Sequence, residues 1–222
     1  MKENSSGFRQ VLANDWPVIL LILGSLISGF LVYPHLPEQV PIHWNVQGEV
    51  DGYSTRFWGA FGIPIITAGI YMLMVLLPTI DPQRQNYAKF AGAYNILKAV
   101  LVVFMIGLYS LVILSSYGRQ IPVDKAAIGS IGLLFIVMGN YMGQFRHNYL
   151  IGIKTPWTLS DERVWQKTHR FGGKIWVLAG SLGLVAAVFG GTTGVSILGI
   201  ALGIALIVPV IYSYLVFRRL RS

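Results

Sequence analysis

Residues 175–217 read IWVLAGSLGLVAAVFGGTTGVSILGIALGIALIVPVIYSYLVF, a stretch of 43 residues without a charged side chain. A membrane-spanning helix needs only about 20 apolar residues to cross a hydrocarbon core about 30 Å thick. The stretch is therefore long enough for two crossings, and the glycine-rich run 190–194 lies where a turn between them is expected. This segment predicts two membrane-spanning helices joined by a tight turn.

Four more charge-free intervals precede this segment, at residues 16–34, 57–80, 99–118 and 126–145. The chain of 222 residues is 54% hydrophobic and 12% charged, whereas an average soluble domain has about 25% charged residues. A soluble fold of this size could not bury so much apolar surface. The predicted fold class is therefore all-α, a polytopic membrane helix bundle of about six transmembrane helices.

Basic residues are sorted between the two sides that six crossings create. The N-terminus, residues 81–98, residues 146–174 and the C-terminus hold 14 of the 17 lysines and arginines. Because basic residues concentrate on the cytoplasmic side of membrane proteins, both termini are expected in the cytoplasm. The net charge of +8 is interpreted as this topology signal rather than as a nucleic-acid-binding surface.

The spans and connections predict a division of the chain. A cytoplasmic lead (1–15) precedes a two-span N-terminal domain (16–80) with an extracellular loop (34–55). A cytoplasmic connection (81–98) leads to a four-span domain (99–222) that contains an inner segment (140–173). Small residues four positions apart predict close helix packing; these are Ser25 and Gly29, Gly139 and Gly143, Ala179 with Gly183 and Ala187, and Gly199 and Gly203.

The outer loop (34–55) reads PHLPEQVPIHWNVQGEVDGYST, with prolines that favour extended backbone and turn candidates at Gly48 and Gly52. Residues 42–44 are predicted to form a short strand. Two interpretations of its polar residues stay open. His35, His43 and the nearby carboxylates could bind a metal, or His43, Asn45 and Asp51 could hold the loop by hydrogen bonds. No motif fixes two ligands on one helix face, which favours the second interpretation and predicts no metal.

The inner segment combines a helix break with a new helix start. Pro156 disfavours helix at Thr155, and Thr158 or Ser160 can cap a helix whose first turn carries acidic residues favoured by the helix dipole. Val164, Trp165, Thr168 and Phe171 then share one helical face. The pattern predicts an amphipathic helix that lies in the membrane interface within 146–173.

The inner segment from Asn148 to Trp165, NYLIGIKTPWTLSDERVW, followed by His169-Arg170-Phe171, resembles the signature of the SdpI family of bacterial membrane proteins. The outer string from Leu36 to Asn45, with Gly48 and Asp51, is similar to a short N-terminal membrane domain (DUF1648-like) that often accompanies it. Together the similarity covers nearly the whole chain beyond the first dozen residues.

The resemblance implies an integral protein of the bacterial plasma membrane that protects the cell against a secreted, membrane-active peptide toxin. It further implies a receptor role, in which a cytoplasmic transcriptional repressor is captured at the membrane without direct contact of this chain with nucleic acid. The expected partners are thus the lipid bilayer, the toxin peptide and the repressor. The alternatives are a small-solute or ion transporter and a structural membrane protein that binds a partner.

Two sets of residues are predicted to bind or signal. The external set is Pro41, His43, Trp44, Asn45, Gly48 and Asp51. The inner set is Asn140, Asn148, Gly152, Lys154, Thr155, Pro156, Trp157, Thr158, Asp161, Glu162, Trp165, His169 and Arg170. The chain has no cysteine and no catalytic constellation at membrane depth, so no enzymatic activity, catalytic residue or cofactor is predicted.

Overall fold

The computed structural model describes the backbone of residues 3–221 and the side chains of residues 15–221. Lys2 and the side chain of Arg9, which entered the charge count, lie outside the described part. In chain order the helices and strands are α1 (Glu3–Val32), β1 (Gln39–Trp44), β2 (Val50–Thr55), α2 (Arg56–Ile80), α3 (Ala91–Ser116), α4 (Val123–Met142), α5 (Pro156–Ser160), α6 (Glu162–Phe189) and α7 (Gly191–Arg221). Short 3-10 helices occupy Tyr33–His35 and Arg84–Phe90.

Six helical segments in the described part are long and apolar enough to cross a membrane. They cover Asp15–His35, Arg56–Ile80, Arg84–Ser116, Val123–Met142, Glu162–Phe189 and Gly191–Arg221. The prediction of a membrane helix bundle with six spans is confirmed. The orientation of the termini stays a prediction.

The turn predicted between the last two spans is confirmed at Gly190 and Gly191. Both residues have positive φ angles, 65° and 52°, a backbone conformation that costs a residue with a Cβ atom about 1–2 kcal/mol. The amide of Gly190 donates to the carbonyl of Ala186 and ends α6. The long charge-free stretch therefore divides into the second half of α6 and most of α7.

The chain forms two compact units, and each has its own core. The first comprises residues 1–43, 50–76 and 98–121, and the second comprises 44–49, 77–97 and 122–222. The third span thus lies mainly with the first two. The division into a two-span domain (16–80) and a four-span domain (99–222) stays a prediction. In the first unit Val18, Ile22, Tyr71 and Val102 form a buried cluster.

The second unit is held together by close approach of α4 and α6. A Cβ atom placed on Gly139 would lie 2.7 Å from the carbonyl oxygen of Gly173, and one placed on Gly132 would lie 2.8 Å from that of Gly180. Small residues allow such contact between backbones in a membrane. The close packing predicted from the spacing of Gly199 and Gly203 is wrong, because no atom of a neighbouring element in the described part of the chain lies within 4 Å of a Cβ atom built on either.

Candidate functional site

The inner segment between α4 and α6 is organised around Asn148, which is fully buried. Its side-chain oxygen accepts hydrogen bonds from the amides of Leu150 (3.0 Å) and Ile151 (2.7 Å), and its amide group donates to the carbonyl of Arg146 (2.9 Å). One side chain therefore satisfies three backbone groups that would otherwise be unpaired. Asn148 determines the path of the loop.

Trp165 and His169 form the buried centre of the segment. Their rings stack with centroids 4.0 Å apart, and both side chains are inaccessible to solvent. The indole nitrogen of Trp165 donates to the carbonyl of Phe145 at 2.9 Å. The stack thus joins the first turns of α6 to the beginning of the connection that follows α4.

The hydrogen bonds of His169 define its tautomer. Its Nδ1 lies 2.8 Å from the carbonyl oxygen of Trp165, which can only accept, so Nδ1 carries the proton. Its Nε2 accepts from the amide of Ile153 at 2.9 Å, so Nε2 carries none. The imidazole is therefore neutral, and a second proton would break the bond to Ile153. His169 serves as a connector between α6 and the loop.

Gly152 allows the loop to pass against His169. Its φ is +118°, and a Cβ atom on this residue would overlap the Nε2 of His169. Only glycine meets both conditions without strain. The buried imidazole of His169 therefore explains why the inner signature has a glycine at position 152.

Thr155 and Thr158 form a capping box at the start of α5. The Thr155 hydroxyl accepts from the amide of Thr158 (3.1 Å), and the Thr158 hydroxyl accepts from the amide of Thr155 (2.9 Å). The Thr155 hydroxyl also lies 3.1 Å from that of Ser213 on α7. The sequence predicted a cap at Thr158 or Ser160, whereas the residue that precedes Pro156 is the N-cap of α5.

Asp161 caps α6, with its carboxylate accepting from the amides of Arg163 (2.7 Å) and Val164 (3.4 Å). It also pairs with the Arg163 guanidinium at 2.9 Å. Hydrogen bonding to the Arg163 side chain, with the two amides, lowers the pKa of Asp161 to about 2. The carboxylate is therefore charged at every physiological pH, as a helix N-terminus favours.

The remaining predicted residues face outward. Trp157 is half-buried, and its ring packs 5.0 Å from that of Tyr214. The Lys154 ammonium donates to the carbonyl of Leu150 at 3.1 Å. The exposed members of the inner set are Asn140, Gly152, Lys154, Pro156, Glu162 and Arg170. The set therefore contains a buried framework and an outer surface.

The predicted interfacial helix does not exist as a separate element. Residues 162–173 are helical, but they form the first three turns of α6 and continue without a break into the fifth span. Of the predicted apolar face, Val164, Trp165 and Thr168 are buried. Trp165 contacts loop residues of the protein. The apolar face is therefore covered by protein, and its sequence pattern is the same as that of a helix whose apolar face lies in the membrane interface.

The outer loop forms a β-hairpin of β1 and β2. His43 Nδ1 lies 2.5 Å from Asp51 Oδ1. The Asn45 side-chain oxygen accepts from the amides of Gln47 (3.0 Å) and Glu49 (2.9 Å), while its amide group donates to the Glu49 carboxylate (2.9 Å). The prediction that His43, Asn45 and Asp51 hold the loop by hydrogen bonds is confirmed.

The other predicted residues of the outer loop differ in how deeply they are buried and in where they lie along the hairpin. Pro41 is buried and Trp44 is half-buried. Gly48 has a φ of +81° and lies in the hairpin turn, as predicted. Gly52 was predicted as a turn and instead lies within β2, where a Cβ atom would lie 2.8 Å from that of His43.

The hairpin turn, residues 44–49, is part of the second unit. Gln47 donates to the hydroxyl of Thr192 at 3.3 Å, and Gly48 lies against Asp124. The Asp124 carboxylate accepts in turn from the amide of Gly191 at 2.8 Å. The turn thus contacts the first turns of α4 and α7, at the end of these helices that is opposite the inner segment.

Sequence reasoning missed two buried carboxylates. Asp15 pairs with Lys98, both about 3% exposed, and also accepts from the hydroxyl of Tyr71 at 3.1 Å. The sequence analysis assigned Asp15 and Lys98 to the segments outside the spans, because each lies immediately before a charge-free interval. Their spacing along the chain gives no sign that they meet.

The second missed carboxylate is Asp81, which is 2% exposed. It accepts from the hydroxyl of Tyr87 (3.0 Å) and from the amides of Tyr149 (3.0 Å) and Gln83 (2.7 Å). Asp81 thereby connects the segment after α2 to the inner segment. The dipeptide Asp81-Pro82 signals a turn, and this was the one available clue.

Comparison with known proteins agrees with the two sequence resemblances. Residues 144–213 match the family described as the SdpI/YfhL protein family, and residues 20–68 match a domain of unknown function, DUF1648. The chain is 28% identical over 204 residues to "Immunity protein SdpI" of Bacillus subtilis (strain 168), which covers 92% of this chain and 96% of that protein. No solved structure matches the chain. The predicted resemblance is confirmed.

Proposed function

We propose that this multi-pass membrane protein, whose residues 144–213 are an SdpI/YfhL family region, is an immunity protein against a secreted peptide toxin that attacks the membrane. The observation that carries the proposal is the similarity to Immunity protein SdpI, which extends over 92% of this chain and includes both polar segments. An alignment of that extent supports a shared role of the whole bundle rather than of one motif.

The outer hairpin is the proposed contact for the toxin. Ile42 and Tyr53 are 45% and 58% exposed on its strands, and no third strand of the described residues pairs with either edge of the sheet. An extended or amphipathic peptide can bind such an edge through backbone hydrogen bonds and apolar contacts. The predicted orientation places this hairpin outside the cell, where a secreted peptide arrives.

The second unit offers a physical route from the outer hairpin to the inner segment. Gln47 in the hairpin turn contacts Thr192 at the start of α7. Helix α6 has 28 residues, or about 42 Å at 1.5 Å per residue, and begins within the inner segment. We infer that toxin binding changes the inner surface around Trp157, Lys154 and Arg170, where a cytoplasmic repressor docks.

Protection is tested in toxin-sensitive cells that express the protein and are exposed to any secreted peptide encoded near its gene. Tyr53→Ala is expected to lower survival at least tenfold at an unchanged amount of protein in the membrane, because it removes an exposed aromatic contact. Tyr117→Ala is the matched control, since Tyr117 is 47% exposed after α3 and outside the hairpin. Failure of the wild-type protein to rescue the cells would contradict immunity.

Signalling is tested with a pair of neighbouring substitutions. Trp157→Ala is expected to reduce repressor capture more than protein abundance, because the half-buried ring contributes to the surface. Thr158→Ala is expected to reduce both together, because its buried hydroxyl bonds to Ile153 and Thr155. Capture is measured as the membrane-bound fraction of a labelled repressor. An equal loss of capture and abundance in Trp157→Ala would assign it a folding role.

One observation favours a second candidate, transport of a small solute or an ion. Asp15 and Lys98 are buried within helical segments that are candidate spans, and ionisable residues at such positions are frequent in transporters. Flux of an ion into proteoliposomes that is lost in Lys98→Met would support transport. Asp15 already has two partners, the Lys98 ammonium and the Tyr71 hydroxyl. A role in holding the helices together explains these contacts equally well, so immunity is the preferred function.

A further inference from the structure

Helices α6 and α7 enclose a groove of about 400 Å³ between the first turns of α6 and the last turns of α7. Its walls combine apolar and basic side chains and include no acidic one. The lining residues are Lys167, Tyr212, Leu215, Val216, Arg219 and Leu220. Val216 is buried, whereas Leu215 is 56% exposed, so the groove has a closed apolar floor and an open apolar wall.

The level of the groove follows from the register of the two antiparallel helices. Phe171 stacks on Tyr212 with ring centroids 4.2 Å apart, and Trp176 donates to the carbonyl of Ala205 at 3.0 Å. Lys167 therefore lies about one turn, roughly 6 Å, beyond the stacked rings. The charge-free part of α7 ends at Phe217, two residues before Arg219. The groove thus crosses the level at which apolar side chains give way to cations.

Charges around the groove favour an anion. Arg163, Lys167, Arg170 and Lys174 recur at helical spacing along one face of α6, and all four are exposed. Of the two acidic residues nearby, Asp161 is neutralised by Arg163. Glu162 lies five positions before Lys167 and so points about 140° away around the helix. The described lining of the groove thus carries two cations and no carboxylate.

We propose that this groove binds one anionic phospholipid, with the phosphate between Lys167 and Arg219 and an acyl chain along Leu215 and Tyr212. Basic pockets between membrane helices at the cytoplasmic surface suit lipid headgroups. A free phosphate ion would use the two cations and gain nothing from the apolar wall. The site is separate from the outer hairpin and from the buried framework of the inner segment, so it adds a ligand that immunity does not require.

The test uses the full-length protein in detergent, titrated with phosphatidylglycerol or phosphatidylcholine and analysed by native mass spectrometry. Retention of phosphatidylglycerol is expected to fall about fivefold in Lys167→Gln or Arg219→Gln and about thirtyfold in the double variant, the size expected for the attraction of one or two cations to an anionic lipid. Leu215→Trp, which fills the groove and keeps its charge, is expected to lower retention as well.

The matched control is the double variant Arg170→Gln with Arg218→Gln, which removes one cation from each helix outside the lining. It is expected to lower phosphatidylglycerol retention by less than about twofold, because neither cation lines the groove and each acts on the lipid only through screened long-range attraction. An equal loss in this control would overturn the proposal in favour of general surface charge. Full competition by millimolar inorganic phosphate, or equal retention of phosphatidylcholine, would overturn it as well. All four cations are exposed, so these variants are expected to fold.

Discussion

Asn148 in the inner segment and Asn45 in the outer hairpin make almost the same hydrogen bonds in opposite surroundings. Each side-chain oxygen accepts from two backbone amides a few positions later, and each amide group donates once. Asn148 is fully buried, whereas Asn45 is only half-buried in a turn otherwise open to water. The same local chemistry therefore supports a rigid framework at one end of the second unit and an accessible loop at the other.

This difference changes how a sequence signature is interpreted. The long inner signature consists largely of residues that hold each other in place, such as Trp165, His169 and Thr158. The shorter outer string leaves Ile42 and His43 exposed to a ligand, and Tyr53 beside it is exposed as well. A specific motif is thus evidence for a specific architecture, and the exposed residues within and beside it are where binding is expected.

The largest expected effect comes from Gly152→Ala in the inner segment. A side chain here is strained by the φ of +118° and overlaps the imidazole of His169. The expected loss is about 4 kcal/mol of unfolding free energy, combining left-handed backbone strain with overpacking. Unfolding in mixed detergent–SDS micelles measures it.

Gly118→Ala is the control for that substitution. Gly118 also has a positive φ, +71°, but nothing lies within 4 Å of its Cβ position. Only the backbone cost of about 1–2 kcal/mol is expected there. Equal losses in the two variants would show that the contact with His169 is not a constraint on the loop.

The second test compares Asn148→Ala directly with Asn45→Ala. Loss of the buried amide leaves the amides of Leu150 and Ile151 without partners, which is expected to cost about 3 kcal/mol. Water can replace the bonds of Asn45, so the expected cost there is below about 1 kcal/mol. The same unfolding measurement serves for both. Similar losses of unfolding free energy in the two variants would contradict the distinction between a rigid inner framework and an accessible outer loop.

The smallest expected effect is the pH dependence of Asp161→Asn, because asparagine is an equally good N-cap and only the charge is lost. The pKa of Asp161 is lowered from 3.8 to about 2, chiefly by hydrogen bonding to Arg163. A carboxylate with a lowered pKa stabilises the folded state above pH 4 and loses this contribution as the pH falls toward 2.

The wild type is therefore expected to exceed Asp161→Asn by about 1 kcal/mol at neutral pH, after allowance for solvent screening, and to match it near pH 2. Unfolding measured from pH 7 to pH 2 checks this. Asp51→Asn in the outer hairpin is the counterpart at neutral pH, with an expected change in unfolding free energy within about 0.5 kcal/mol because the His43–Asp51 pair is exposed. A constant difference for Asp161→Asn across this range would contradict the role of its charge.

The sequence alone determined the six spans, the turn at Gly190–Gly191 and the hydrogen-bonded outer loop. These features depend on neighbours in the chain, namely runs of apolar residues, glycine conformations and side chains that bond a few positions away. The resemblance of residues 148–171 to a known family was also readable from the residues.

Only the tertiary structure decided that the amphipathic start of α6 packs against protein, that Gly199 and Gly203 pack against nothing, and that Asp15 meets Lys98. Each of these depends on partners far away in the chain. A hydrophobic face has the same pattern whether lipid or protein covers it, and a charge at the end of an apolar run gives no sign of which other charge it will meet. The pairing of distant residues had to come from the folded chain.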